Sequence, residues 1–116
     1  MNQIIPTTLF QRKVKKFLKK FPSLFAELTE LQKQLMENPE MGTHIATYLN
    51  SKLFKVRLSS TSKGRGKSGG FRVITYVIKE KEPEGFAVNL ITIFDKSEES
   101  NIKKAQLIAL IKAIFG

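Results

Sequence analysis

Two cations stand two residues apart in an alternating segment of the chain. In Phe54–Leu58, the apolar residues alternate with Lys55 and Arg57. Because residues two apart on a strand share a face, we expect both cations on one face and the apolar side chains on the other. Such neighbours repel each other unless an anion lies across them, so the pair indicates an anion site. The alternative is an exposed strand face with solubilising charge.

A glycine-rich segment follows, with four cations and no acid between Lys63 and Arg72. It is not a nucleotide-binding P-loop, because Thr61 stands where that motif needs its first glycine and a strand, rather than a helix, is expected next. We predict instead a loop whose backbone N–H groups, together with Arg65 and Lys67, bind phosphate.

The overall charge points to a polyanionic partner. The chain has 20 basic and 10 acidic residues, a net charge of +10, and such an excess is typical of nucleic-acid binding. The cations are concentrated: residues 1–22 hold six and residues 52–72 hold seven, with no acid in either block. Lys13, Lys16 and Lys20 share one face of a predicted helix and are candidates, with Lys63 and Arg65, for RNA-backbone contacts.

Hydrophobic spacing predicts the elements that position these residues. A short strand is expected at Gln3–Ile5. A first helix is capped by a Thr8/Gln11 box and ended or kinked by Pro22. A second helix carries its apolar face at four leucines, and three strands precede a last helix capped by Ser100 or Asn101. The leucines are Leu24, Leu28, Leu31 and Leu35, and the strands are Phe54–Leu58, Phe71–Ile78 and Phe86–Phe94, the last two joined by a polar hairpin loop at Lys79–Gly85.

This order predicts an α+β fold in a single domain over residues 1–116. Helices that precede a run of strands favour two N-terminal helices packed on a small antiparallel sheet of about 3–4 strands, followed by a C-terminal helix. The two long apolar strands are expected at the centre of the sheet, covered by helices on one face.

The composition limits the kinds of catalytic and metal site that the chain can form. The chain has no cysteine and one histidine, which excludes disulfides, thiol catalysis and a two-histidine ribonuclease mechanism. His44, near the end of the expected helical hairpin, is interpreted as structural. Without a visible carboxylate cluster, we expect neither a metal nor a cofactor. The start lacks the features of a signal peptide and no apolar run approaches about 20 residues, so the sequence favours a cytoplasmic protein without membrane contact.

Several of these segments together resemble a known family. They are Lys55-Val56-Arg57-Leu58, the run from Gly66 to Ile74, and Ile93-Phe94-Asp95-Lys96. This pattern is similar to the RelE/HigB toxins of bacterial toxin–antitoxin modules, and to their HigB-like branch with a GKSGG-type loop. The resemblance spans nearly the whole chain and implies the RelE-like toxin fold.

The resemblance also implies a function. These toxins cleave messenger RNA in the ribosomal decoding site and are silenced by an antitoxin encoded by the adjacent gene. By position, Lys55 and Arg57 match basic active-site residues, Arg72 matches an arginine at the scissile phosphate, Lys96 matches a cation after the last strand, and Lys67 belongs to the loop of this branch. The tyrosine that some relatives have near the last helix is absent here, where the chain reads Asn101-Ile102-Lys103.

The residues support a metal-independent mechanism in which the RNA 2′-hydroxyl attacks the neighbouring phosphate. Arg72 and Arg57 would stabilise the charge, because a guanidinium can form two parallel hydrogen bonds to phosphate. A lysine crowded by other cations (Lys55, Lys67 or Lys96) could act as base or acid, with Asp95 as a weaker base candidate. Two other readings stay open: a non-catalytic RNA- or ribosome-binding protein, and a structural protein that binds an acidic partner.

Overall fold

The computed structural model describes residues 1–63 and 69–116. Its elements, in chain order, are β1 (Gln3–Pro6), α1 (Thr8–Leu18), α2 (Leu24–Glu37), β2 (Thr43–Tyr48), β3 (Ser51–Leu58), β4 (Phe71–Lys81), β5 (Glu84–Asp95), a 3-10 helix (Lys96–Asn101) and α3 (Lys104–Phe115). The α+β class expected from the sequence is confirmed.

The sheet is larger than predicted and is not purely antiparallel. Five strands of the described residues form one sheet in the order β1-β5-β4-β3-β2. β1 runs parallel to β5, whereas the other neighbours are antiparallel. β2 was not predicted; it joins β3 by a two-residue turn in which Leu49 and Asn50 both have positive φ. This turn geometry matches the twist of a hairpin.

Helices cover both faces of the sheet, so the prediction of cover on one face is wrong. On one face, α1 and α2 pack against β3, β4 and β5, and the four leucines predicted for α2 are all buried there. On the other face, Leu107 and Ile111 of α3 pack against Leu53, Ile74 and Phe94. The continuous apolar runs of β4 and β5 follow from this arrangement, because both sides of a strand are buried.

Two predicted helix starts are displaced. The cap of α1 is Thr7, not Thr8: the Thr7 hydroxyl accepts a hydrogen bond from the Phe10 N–H at 3.2 Å. The segment expected to begin the last helix at Ser100 or Asn101 is the 3-10 helix. It is capped by Asp95, which accepts from the Ser97 N–H at 3.0 Å. This 3-10 helix carries the chain from the end of β5 across the end of the sheet.

Gly70 allows the chain to enter β4 close to β3. A Cβ on Gly70 would lie 1.9 Å from the Leu58 carbonyl oxygen, so a larger residue would force the two strands apart. The Gly70 carbonyl in turn accepts a hydrogen bond from the Lys96 N–H at 3.0 Å. These contacts fix the start of β4 between the end of β3 and the start of the 3-10 helix.

Within residues 1–63 and 69–116, no helix is long and apolar enough to cross a membrane.

Candidate functional site

A cluster of charged side chains lies where β3 ends and β4 begins. Arg57 and Arg72 are directly paired across these strands, and Lys55 is paired with Ile74, two residues along from Arg72. Strand alternation therefore places Lys55 and Arg72 on the face that α3 covers further along the sheet. The sequence had placed Lys55 and Arg57 on a common face, and the register agrees, because Arg57 is paired directly with Arg72.

Glu99, from the 3-10 helix, lies between these two cations. Its carboxylate accepts from Lys55 Nζ at 2.7 Å and from Arg72 Nε at 3.3 Å. The hydrogen bond from Lys55 lowers the pKa of Glu99, and it outweighs the opposing effect of burial. In the part of the chain that the structure describes, Glu99 is the only carboxylate paired with both cations. We refer to Lys55, Arg72 and Glu99 as the charged trio.

Access to the trio differs among its members. The side chains of Lys55 and Glu99 are 31% and 27% exposed, whereas that of Arg72 is 2% exposed. Arg72 also donates from Nη1 to the Phe71 carbonyl at 3.1 Å. Arg72 therefore forms the inner wall of the site, and Lys55 and Glu99 form its solvent-facing side.

The remaining strand cation, Arg57, does not join the trio. It is exposed and lines a separate groove that also contains Glu27 and Glu30 of α2. β2 pairs with β3 only as far as Lys55, so Arg57 stands on a free edge of β3. Arg57 thus shares the strand face of Lys55, as the sequence predicted, but Glu99 pairs with Lys55 and Arg72.

Asp95 and Lys63 form a second pair, on the sheet face that α1 and α2 cover. They make an ion pair, and the Lys63 ammonium also lies 4.8 Å from the centre of the Phe21 ring and 5.1 Å from that of Phe71. Burial alone would raise the pKa of Asp95, but hydrogen bonds from Lys63 and Ser97 outweigh it and the pKa is lowered.

Lys96 lies in a cleft beside this second pair. The cleft has a volume of about 610 Å³ and is polar. Lys96 is exposed, and Lys20 and Lys63 are the other cations among the lining residues, with Asp95 as the acid. Such a surface suits a backbone phosphate, because several ammonium groups converge on it.

The basic face of α1 is less uniform than its sequence suggested. Lys16 is exposed, but Lys13 lies in a cavity lined by Phe94 of β5 and residues of α3. Burial lowers the pKa of Lys13; Glu98 opposes this effect and Lys16 adds to it. Lys20 lies beyond the end of the helix, with its ammonium 5.6 Å from the centre of the Phe21 ring.

The remaining residues that the sequence singled out either do not belong to the trio or lie outside the described part of the chain. Arg65 and Lys67 lie outside the described residues. His44 is on β2 and exposed, with Nε2 2.9 Å from the Ala46 carbonyl oxygen. Among residues 1–63 and 69–116, no group of three or more histidine, cysteine, aspartate or glutamate side chains is arranged to hold a metal ion.

Sequence reasoning missed Glu99. The available signal was an acid pair, Glu98-Glu99, shortly after a strand whose neighbours carry cations. These acids precede the predicted helix start at Ser100 or Asn101, and only the path of the 3-10 helix brings Glu99 back over the sheet.

No protein-family model matches the chain.

Proposed function

We propose that this chain is a cytoplasmic, ribosome-dependent messenger-RNA endoribonuclease, the toxin of a toxin–antitoxin pair, as its resemblance to the RelE/HigB toxins implies. The observation that carries the proposal is the charged trio. Lys55 and Arg72 converge on one anion at an open end of the sheet.

A phosphate diester could use the same cations. The Lys55 ammonium is a mobile donor at the solvent-facing side, and a guanidinium behind it supplies a fixed positive charge. Stabilisation of negative charge at a partly dehydrated site is the largest contribution to many transfer reactions of this kind. RNA carries its own nucleophile, so the protein needs to supply positioning, charge and proton transfer.

The surfaces around the trio support contacts with a longer RNA. The cleft that contains Lys20, Lys63 and Lys96 lies beside the same end of the sheet, and Lys13 and Lys16 continue the cationic surface along α1. We propose that the message runs past the trio and that ribosomal RNA contacts α1. The cognate antitoxin, encoded by the adjacent gene, would cover part of this surface.

Purified protein should cut a message on programmed ribosomes and leave 2′,3′-cyclic phosphate and 5′-hydroxyl ends, with no magnesium requirement beyond that of the ribosome itself. Lys55→Gln should lose most of this activity because it removes the accessible cation of the trio. Lys52→Gln is the matched control, since Lys52 is 52% exposed and pairs with Glu40 instead. Products with 5′-phosphates, or equal activity of the two variants, would refute the proposal.

One observation favours a second function, a non-catalytic RNA- or ribosome-binding protein. Arg72 is nearly inaccessible and Lys55 is already paired with Glu99, so the trio could be structural while the outer lysines bind RNA. This alternative predicts tight ribosome binding and no new 5′ ends in the same assay.

A further inference from the structure

The proposed cleavage needs a base that removes the 2′-hydroxyl proton, and the inference here rests on that proposed function. The base must reach solvent, stay ionised near neutral pH and lie beside the cations that hold the phosphate. Asp95, the carboxylate that the sequence suggested, lies on the other face of the sheet and is occupied by Lys63 and the Ser97 N–H.

Glu99 meets these requirements. Its carboxylate is 27% exposed and makes ion pairs to Lys55 and Arg72. Arg72, 2% exposed and bonded to the Phe71 carbonyl, is a rigid support that keeps one carboxylate oxygen in place. The pair between Lys55 and Glu99 is the accessible half of the trio, so an incoming RNA meets these two groups first.

We propose that Glu99 is the general base of the reaction and that Arg72 is the positioning residue that aims it. The 2′-hydroxyl proton passes to a Glu99 oxygen as the 2′-oxygen bonds to phosphorus. The bond from phosphorus to the 5′-oxygen breaks, and this leaving oxygen takes a proton from the Lys55 ammonium. The proton on Glu99 then passes to the neutral Lys55 amine across their 2.7 Å contact, which restores both groups.

Substrate binding would itself activate this base. In the free protein, Lys55 contributes most to the lowered pKa of Glu99. A phosphate that shares the Lys55 ammonium weakens this stabilisation and adds a nearby negative charge, so the pKa of the carboxylate rises. Among the described residues, the cations paired with Glu99 are Lys55 on β3 and Arg72 on β4, and Lys96 and Glu98 lie on its own 3-10 helix. Glu98 raises the pKa of Lys13 on α1, against the larger effect of burial.

The test compares Glu99→Gln with Glu98→Gln in the programmed-ribosome assay. Both variants remove one negative charge from the same 3-10 helix, but only Glu99 pairs with Lys55 and Arg72. Glutamine keeps an oxygen that can accept from Lys55 and Arg72 and cannot take a proton. We expect Glu99→Gln to bind ribosomes normally and to cut about 10²- to 10⁴-fold more slowly, the usual contribution of a general base. Glu98→Gln should cut at close to the wild-type rate.

The other outcomes distinguish failure of the Glu99 assignment from failure of the proposed function. If the wild-type protein cuts and Glu99→Gln cuts as fast or faster, Glu99 is a competitor of the phosphate and the assignment is overturned. If the wild-type protein does not cut, the proposed function itself fails. Should Glu99→Gln unfold, Glu99→Ala with added formate or acetate replaces the carboxylate between the two cations. At saturation, the more basic acetate should restore more turnover, whereas equal rescue would indicate a structural role and overturn the proposal.

Discussion

Removing the Lys63 ammonium should destabilise the fold, although the sequence assigned this lysine to RNA. Lys63 is 13% exposed on its side chain, is paired with Asp95 and lies within 5.1 Å of the centres of two aromatic rings. A cation over an aromatic ring contributes about 0.5–2 kcal/mol, depending on how far it is desolvated. A hydrogen bond to a charged group contributes about 1.5–3 kcal/mol. Because both charged groups keep some contact with water, we expect Lys63→Ala to cost about 2–4 kcal/mol in all.

Urea unfolding followed by circular dichroism measures this loss. In thermal unfolding of a chain of this size, a loss of about 2–4 kcal/mol in the free energy of unfolding should lower Tm by roughly 8–16 °C. Lys20→Ala is the matched control: its ammonium lies 5.6 Å from the centre of the Phe21 ring but the residue is exposed, so the cost should stay below about 0.5 kcal/mol. Equal stability of the two variants at pH 7 would refute the structural role and favour RNA binding by Lys63.

Acidification gives a second test of the same contact. The pKa of Asp95 is lower in the folded protein than its ordinary value. Its ionised form therefore adds stability above the ordinary carboxyl pKa, and this contribution is lost as the pH falls through the lower folded pKa. The stability difference between wild type and Lys63→Ala should accordingly shrink on acidification to pH values below that range. A difference that stays constant would show that the ion pair with Asp95 contributes nothing.

Two further predictions concern α1. Thr7→Ala should lower the free energy of unfolding by about 1 kcal/mol, since it removes the N-cap, whereas Thr8→Ala should be nearly neutral in the same denaturation experiment; the reverse order would contradict the cap assignment. Changing Lys13, Lys16 and Lys20 together to glutamine should weaken ribosome association and make its salt dependence shallower by about two to three units. A salt series with an unchanged slope would show that this surface makes no phosphate contacts.

The sequence predicted most elements because their hydrophobic periodicity is strong. The leucine spacing of α2 and the long apolar runs of β4 and β5 each have one consistent interpretation. β2 was missed because its hairpin turn begins with Leu49, a residue that rarely adopts a positive φ and gives no turn signal. The parallel pairing of β1 with β5 also could not be predicted from local sequence patterns, since it joins the first strand to the last.

The candidate site was predictable only where it depends on strand alternation. The two-residue period placed Lys55 and Arg57 on one face, and the register of β3 and β4, which pairs Arg57 with Arg72, bears this out. The burial of Arg72 could not be predicted from the local sequence, because the groups that cover it come from a distant part of the chain. Glu99 was missed for the same reason: it is 27 residues beyond Arg72, and its position depends on the path of the 3-10 helix after the Asp95 cap.

The small net charge of the trio distinguishes the long-range attraction of RNA from the reaction at the site. Two cations and one carboxylate leave the trio with a single excess positive charge, a small part of the net +10 of the chain. Long-range attraction of a polyanion must therefore come from other lysines, including those of α1 and of the cleft around Lys96. At the trio, close approach and partial exclusion of water determine the strength of each contact. Salt screens such partly buried contacts much less than it screens long-range attraction. Ribosome binding should thus depend steeply on salt, while the rate of cutting in the bound complex should depend on it little. A bound-state rate that falls with salt as steeply as affinity does would mean that the trio is not the reaction centre.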